Sequence, residues 1–277
     1  MSPAESPLTL MAVHAHPDDE ASSTGGILAR YAAEGVRTVV VMCTNGELGD
    51  MPSGEKPENP EHDERIVVST RRRELEASRE ILNVTHLELL GYRDSGMMGW
   101  PHNETQQSFW NMPVEDAAQP LITLMERYRP QVVVTYDANG FYGHPDHIQA
   151  HRITMAATSR CDIPDKVYAT ALPKSLLPAF AKIFAEDDVD PPEAIDQANF
   201  GTDDELISAS IDCTPFVEHK FEAIAAHASQ TDNDFFLRLN RDAFAKIFSH
   251  EYYVRLYDRT DSPIPETDLF AGIIPPR

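Results

Sequence analysis

Two short stretches gather groups able to bind a metal ion and move protons: HAHPDDE over residues 14–20 and YGHPDH over residues 142–147. Five of the eleven histidines fall in the windows 14–16 and 144–151, a concentration that points to one site rather than to scattered polar turns. Each cluster follows an apolar run of strand length. Imidazole nitrogens and carboxylate oxygens suit borderline divalent ions, and two histidines with one carboxylate leave a coordination position for water, as catalytic zinc sites do. His16 and Asp19 are three apart where a helix begins, so their side chains share a face. One histidine of the second cluster would complete the set, and the same ligands also serve non-haem iron oxygenases.

Around these clusters the chain alternates apolar runs with stretches of helical period, which predicts an α/β fold with a mostly parallel, Rossmann-like sheet and helices on both faces. Strands are expected over 8–13, 38–43, 86–90, 132–136, 167–171 and 206–212. Helices are expected over 22–34, 69–82, 114–128, from about 146, and over 174–184, 215–228 and 234–248. In such a sheet ligands bind at the carboxyl ends of the strands, where residues distant in sequence meet. Long polar loops near 45–65 and 91–112 are expected to wall the site, with a further acidic loop through Pro191 and Pro192. No repeat or boundary divides the chain, so residues 1–277 read as a single domain. His14 and His151 read as supporting or structural groups, Glu20 as a second candidate base, with a plain acid at a helix N-terminus as the alternative, and Met97 and Met98 as fillers of apolar gaps.

Charge excludes some partners. With 45 acidic against 23 basic side chains the formal charge is −22, which repels a nucleic-acid backbone. No apolar run is long enough to cross a membrane, and three dispersed cysteines with no basic leader favour a cytoplasmic protein. A small-molecule substrate is expected, and a homo-oligomer stays open.

The paired motifs AHPDDE and GHPDH, with TNGE, the RRRE helix, YRDSGMMG, YDANGFYGHPDH and AHASQ in the same order, resemble the LmbE-like or PIG-L family of zinc-dependent N-deacetylases. That family includes deacetylases of N-acetylglucosaminyl-inositol compounds and mycothiol S-conjugate amidases. The resemblance implies His16, Asp19 and His147 as metal ligands, for zinc or for ferrous iron in the same place. It implies Asp18 as general base and His144 facing the reacting carbonyl, where a protonated ring would stabilise the oxyanion. Asp146 would orient His144. Glu47, Arg71 and Asp94 would contact sugar hydroxyls, and Tyr142 would lie over the site. An oxygenase has no need of the extra acid at Asp18. The resemblance favours removal of an N-acetyl group from an N-acetylglucosamine-type conjugate over an amidase acting on a thiol-sugar or secondary-metabolite conjugate. Thr24 and Gly143 stand where the amidases carry lysine and proline, and residues 51–65 form an insert matching neither group.

Overall fold

The computed structural model describes residues 8–190, 200–231 and 234–274. Seven strands, β1 (Thr9–His14), β2 (Arg37–Thr44), β3 (His86–Tyr92), β4 (Val132–Thr135), β5 (Lys166–Ala171), β6 (Ala209–Asp212) and β7 (His250–Asp258), form one sheet in the order β3-β2-β1-β4-β5-β7-β6. The first five run parallel to one another, and β7 runs antiparallel to both β5 and β6. Burial on both faces explains the unbroken apolar runs of β1, β2 and β4, since alternate residues serve opposite cores. Leu10, Ala12, Val40 and Met42 face one core; Met11, Val13, Val39 and Val41 face the other.

The first core is closed by α1 (Asp19–Ala33), α6 (Leu177–Glu186), α7 (Val217–Ala226) and α9 (Arg241–Phe248), and the second by α3 (Val114–Tyr128) and α5 (Pro145–Cys161). The expected α/β sheet with helices on both faces is therefore present. Two further helices complete the site: α2 (Glu64–Ile81), which begins earlier than its periodicity suggests because Asp63 caps it through Arg65 N, and the short α4 (Gly140–Gly143).

Several expectations need correction. β7 carries Glu251, Arg255 and Asp258 and is mostly half-buried, so its sequence shows no apolar run, yet it lies inside the sheet. The helix expected over 234–248 is two, α8 (Asp234–Arg238) and α9, because Asn240 restarts the chain by capping Ala243 N. The strand expected from 206 begins at Ala209, after a 3-10 turn at Asp204–Leu206. Met97 and Met98 fill no apolar gap: they are 42% and 53% exposed, on a loop that turns at Gly96 and Gly99. The acidic loop through Pro191 and Pro192 lies outside the described residues.

Candidate active site

β1 and β4 are hydrogen-bonded neighbours, with Leu10 opposite Val132 and Ala12 opposite Val134. The strand order reverses at this pair, so the loops leaving their carboxyl ends diverge and open a crevice. Both histidine clusters stand at those ends, one leading into α1 and the other into α5, which is how they meet.

After β1 the chain turns sharply. His16 N donates to Asp19 Oδ2 at 2.7 Å, and Asp18 takes a φ of 133°, a conformation that costs a non-glycine residue energy and is held only by its surroundings. Glu20 is one of those surroundings: its carboxylate accepts from Asp18 N at 3.0 Å, from Ser78 Oγ at 2.5 Å and contacts His227 Nε2 at 2.7 Å. Glu20 is thus a buried tie between α1, α2 and the end of α7. Asp18 stands at the N-cap of α1 without using its side chain as a cap, and its Oδ1 lies 3.2 Å from Arg71 Nη2. Arg71 is buried and also donates to Pro17 O at 2.6 Å and to Gly46 O at 3.1 Å. Gly46, at φ 67°, leaves space for the guanidinium that a Cβ would occupy.

Asp19 faces both candidate histidines. Its Oδ2 is 3.4 Å from His16 Nδ1 and its Oδ1 is 3.5 Å from His147 Nε2. His147 is buried, stacked on the Tyr136 ring at 4.1 Å, and neither of its ring nitrogens makes a hydrogen bond. A buried polar atom without a partner needs a reason. A cation between His16, Asp19 and His147 would supply one for Nε2, the nitrogen that faces Asp19. The opposite nitrogen of His16, Nε2, is 3.2 Å from Asp146 Oδ2 and 3.8 Å from Asp94 Oδ1. A carboxylate behind a ligating imidazole fixes its orientation and basicity, an arrangement common at metal sites.

Electrostatics point the same way. Burial opposes a charge on His16, but Asp94, Asp146 and Asp19 outweigh it and raise its pKa well above the ordinary histidine value. Surroundings that attract a proton so strongly also attract a dication. Burial would raise Asp19, yet His147 and His16 pull it well below the usual carboxylate range. Asp18, by contrast, is pushed up to about 7 by burial, with Arg71 opposing and Asp19 adding to the shift. Two adjacent acids thus part company, one ionised throughout and one poised to exchange a proton near neutrality.

His144 differs from the expectation of a protonated ring. Burial, with His16 and His147 nearby, drives its pKa well below the ordinary value. Its Nδ1 accepts from Asp146 N at 3.1 Å, so the neutral ring carries its proton on Nε2. Asp146 therefore meets His144 through its backbone. Its carboxylate holds His16 and accepts from Ser95 N at 2.9 Å and from Ser95 Oγ.

The expected sugar contacts divide. Arg71, Asp94 and Tyr142 line the cavity above the site, and Tyr142 is 40% exposed with its ring 5.0 Å from that of His147. Glu47 is not among the lining residues; it accepts from Asp94 N at 2.9 Å and props that residue from behind. His14, bonded to Thr24 and Tyr136, and His151, bonded to Tyr136 O, are structural. The sequence reading missed Ser95 and the His227 tie to Glu20, although AHASQ, which contains His227, was a visible signal. It also missed the aromatic far wall of the cavity, whose volume is about 780 Å³.

The family model described as PIG-L, GlcNAc-PI de-N-acetylase, matches residues 11–158, which hold every one of these candidate ligands and acids. The chain belongs to the PIG-L family. A 1D-myo-inositol 2-acetamido-2-deoxy-alpha-D-glucopyranoside deacetylase of Acidothermus cellulolyticus is 42% identical over 96% of this chain and 95% of its own length. Two solved structures show the same fold at 19% identity. One, the N,N'-diacetylchitobiose deacetylase of Pyrococcus horikoshii, covers 90% of this chain and 83% of its own with a TM-score of 0.58. The other, the 4-carboxy-2-hydroxymuconate hydratase of Pseudomonas putida, covers 93% and 99% with a TM-score of 0.60. Since a hydratase shares the fold, the reaction of this PIG-L chain has to be argued from its site. Among the described residues no helix is long and apolar enough to cross a membrane.

Proposed function

We propose that this PIG-L chain is a zinc-dependent hydrolase that removes the N-acetyl group from an N-acetylglucosaminide, with His16, Asp19 and His147 as the metal ligands and the whole chain acting as one catalytic unit. The observation carrying this reading is the buried His147, whose ring nitrogens make no hydrogen bond, facing Asp19, whose carboxyl is held well below the usual range, with Asp18 raised to about 7 next to them. The family of the chain and the substrate of its Acidothermus relative support the sugar amide as substrate class.

A zinc ion held by these residues would acidify water and polarise the amide carbonyl. Asp18 takes the proton from the attacking water and returns it to the departing nitrogen, the two halves of general base and general acid work. His144 donates its Nε2–H to the oxygen that gains charge as the carbonyl carbon becomes tetrahedral; a neutral donor already in place requires no proton uptake. Arg71 holds the Asp18 carboxylate in place. Asp146 and Asp94 fix the His16 ring, and Tyr142 covers the mouth. Zinc-loaded protein should convert N-acetylglucosaminyl-inositol to the free amine and acetate, observed by mass spectrometry. Recovery of intact substrate alongside full metal occupancy would refute the reading.

A further inference from the structure

One tyrosine joins the two segments that carry the histidine clusters. Tyr136 follows β4, and its hydroxyl accepts from the backbone N–H of Ala15, the residue between His14 and His16, at 3.0 Å. Its ring stacks on that of His147 with centroids 4.1 Å apart and planes 21° from parallel. His151 Nδ1 meets the Tyr136 carbonyl at 2.8 Å, and His14 Nδ1 lies 3.2 Å from the hydroxyl. The tyrosine is thus held at both ends where it touches both clusters.

Behind it runs a buried chain of hydrogen bonds. The His14 ring has a hydroxyl at each nitrogen, Tyr136 at Nδ1 and Thr24 Oγ1 at Nε2, the latter 2.8 Å away. With no carboxylate bonded to it, a fully buried imidazole stays neutral and carries one ring N–H. That single proton makes the chain directional. In one direction Tyr136 donates to His14, His14 donates to Thr24, and Thr24 donates to Glu20 O at 3.1 Å. In the other Thr24 donates to His14 Nε2, the His14 Nδ1–H donates to Tyr136, and the phenol proton is left for Asp19.

Charge chooses between them. Burial and the Asp19 carboxylate together hold the Tyr136 pKa well above the ordinary phenol value, so the hydroxyl keeps its proton and faces an anion. A hydrogen bond to an ionised acceptor is roughly twice as strong as one between neutral groups, and His14 and Glu20 O are the neutral alternatives. The lengths agree, since Thr24 Oγ1 lies closer to His14 Nε2 than to Glu20 O.

We propose that Thr24, His14 and Tyr136 are positioning residues that form a one-way hydrogen-bond chain ending on Asp19, with Thr24 donating to His14, His14 to Tyr136, and Tyr136 to the carboxylate. Thr24 and His14 do not line the cavity, so they act only through the tyrosine. A donor on Asp19 fixes how its carboxylate turns and draws charge from it, which is how supporting groups tune a ligating carboxylate. The effect on the metal rests on Asp19 being a ligand; the direction of the chain does not.

Nitrogen-15 NMR of the metal-free full chain, labelled at histidine and with His14 assigned through His14→Gln, reads the direction. A proton on Nδ1 and a bare Nε2 are expected; a proton on Nε2 overturns the proposal. Chelator competition for zinc and the visible spectrum of the cobalt-loaded chain read the effect on the site. Tyr136→Phe keeps a ring on His147 but should weaken zinc binding about 10–100-fold and shift the cobalt bands. Thr24→Val should move both in the same direction by less, and Thr24→Ser should restore them. Native affinity and native bands in Tyr136→Phe overturn the proposal. An Nδ1 proton on His14 together with full metal retention in Asp19→Ala instead overturns the ligand reading and leaves the chain of hydrogen bonds standing.

Discussion

The two walls of the cavity are held together in opposite ways. At the metal end, side chains that follow β1, β2 and β4, with Arg71 on α2, are fixed by short polar contacts: Asp19 to His16 N, Asp146 to Ser95, Glu47 to Asp94 N, Arg71 to Pro17 O. At the aromatic end, rings from α6, α8 and α9 are fixed by packing alone. Directional contacts set positions to fractions of an ångström and bring pKa values under control, as catalysis requires. Packing sets only volume and polarity, which is enough to choose among substrates and tolerates change more readily.

The largest break in that division comes from the metal end. His16→Ala, Asp19→Ala and His147→Ala should each lose most of the bound metal, measured by elemental analysis, because two remaining protein ligands do not complete the site. Asp18→Ala should keep the metal and lose on the order of 10²–10⁴-fold in rate, the usual worth of a general acid–base. Metal retained by a ligand variant, or near-native turnover in Asp18→Ala, would show that the roles lie elsewhere.

A smaller effect sharpens the electrostatic side. Asp18 must be ionised to accept a proton, so kcat/KM should fall as pH drops through its pKa, which lies at about 7 in the metal-free chain and is only lowered by a bound cation. Arg71 favours the charged carboxylate, so Arg71→Gln should move this acidic limb to higher pH. An unmoved limb would assign it to another group.

The smallest expected effect concerns stability. Burial opposes both charges of the Glu20–His227 pair, but mutual attraction wins: His227 is raised, and Glu20, with Ser78 also bonding it, is lowered. A lowered carboxyl stabilises the fold above its unfolded pKa of about 4.5, and that gain is lost as pH falls through the folded value. A raised histidine stabilises below about 6.5, and its gain is lost as pH rises through the folded value. The pair therefore contributes most between these limits. His227→Gln should cost on the order of 1–3 kcal/mol near pH 5.5, in denaturant titration, and less on the alkaline side. A pH-independent loss would mean that packing, not charge, accounts for His227.

What could be read from the sequence follows the same division. β1, β2 and β4 were legible because burial on both faces leaves uninterrupted apolar runs, and HPDDE and HPDH because their ligand chemistry is local. β7 was hidden by its charged, half-buried residues. The partner of Asp146 was hidden because its carboxylate meets His16 across the crevice and Ser95 from the loop after β3, contacts that no spacing encodes. The aromatic wall was invisible for a different reason: phenylalanines at helical spacing look like ordinary core, and only the fold leaves a cavity in front of them.

The central claim is where the metal sits, and this chain offers rival donor sets: His16, His144 and His147, or His16, Asp94 and Asp146, each with ligand atoms within 4.8 Å of one another. Anomalous diffraction at the zinc edge from crystals of the zinc-loaded protein decides among them. One peak is expected about 2.0–2.2 Å from a His16 nitrogen, an Asp19 oxygen and a His147 nitrogen, with none bonded to His144 or Asp146. A peak on either rival set, with Asp19 out of bonding reach, would contradict it.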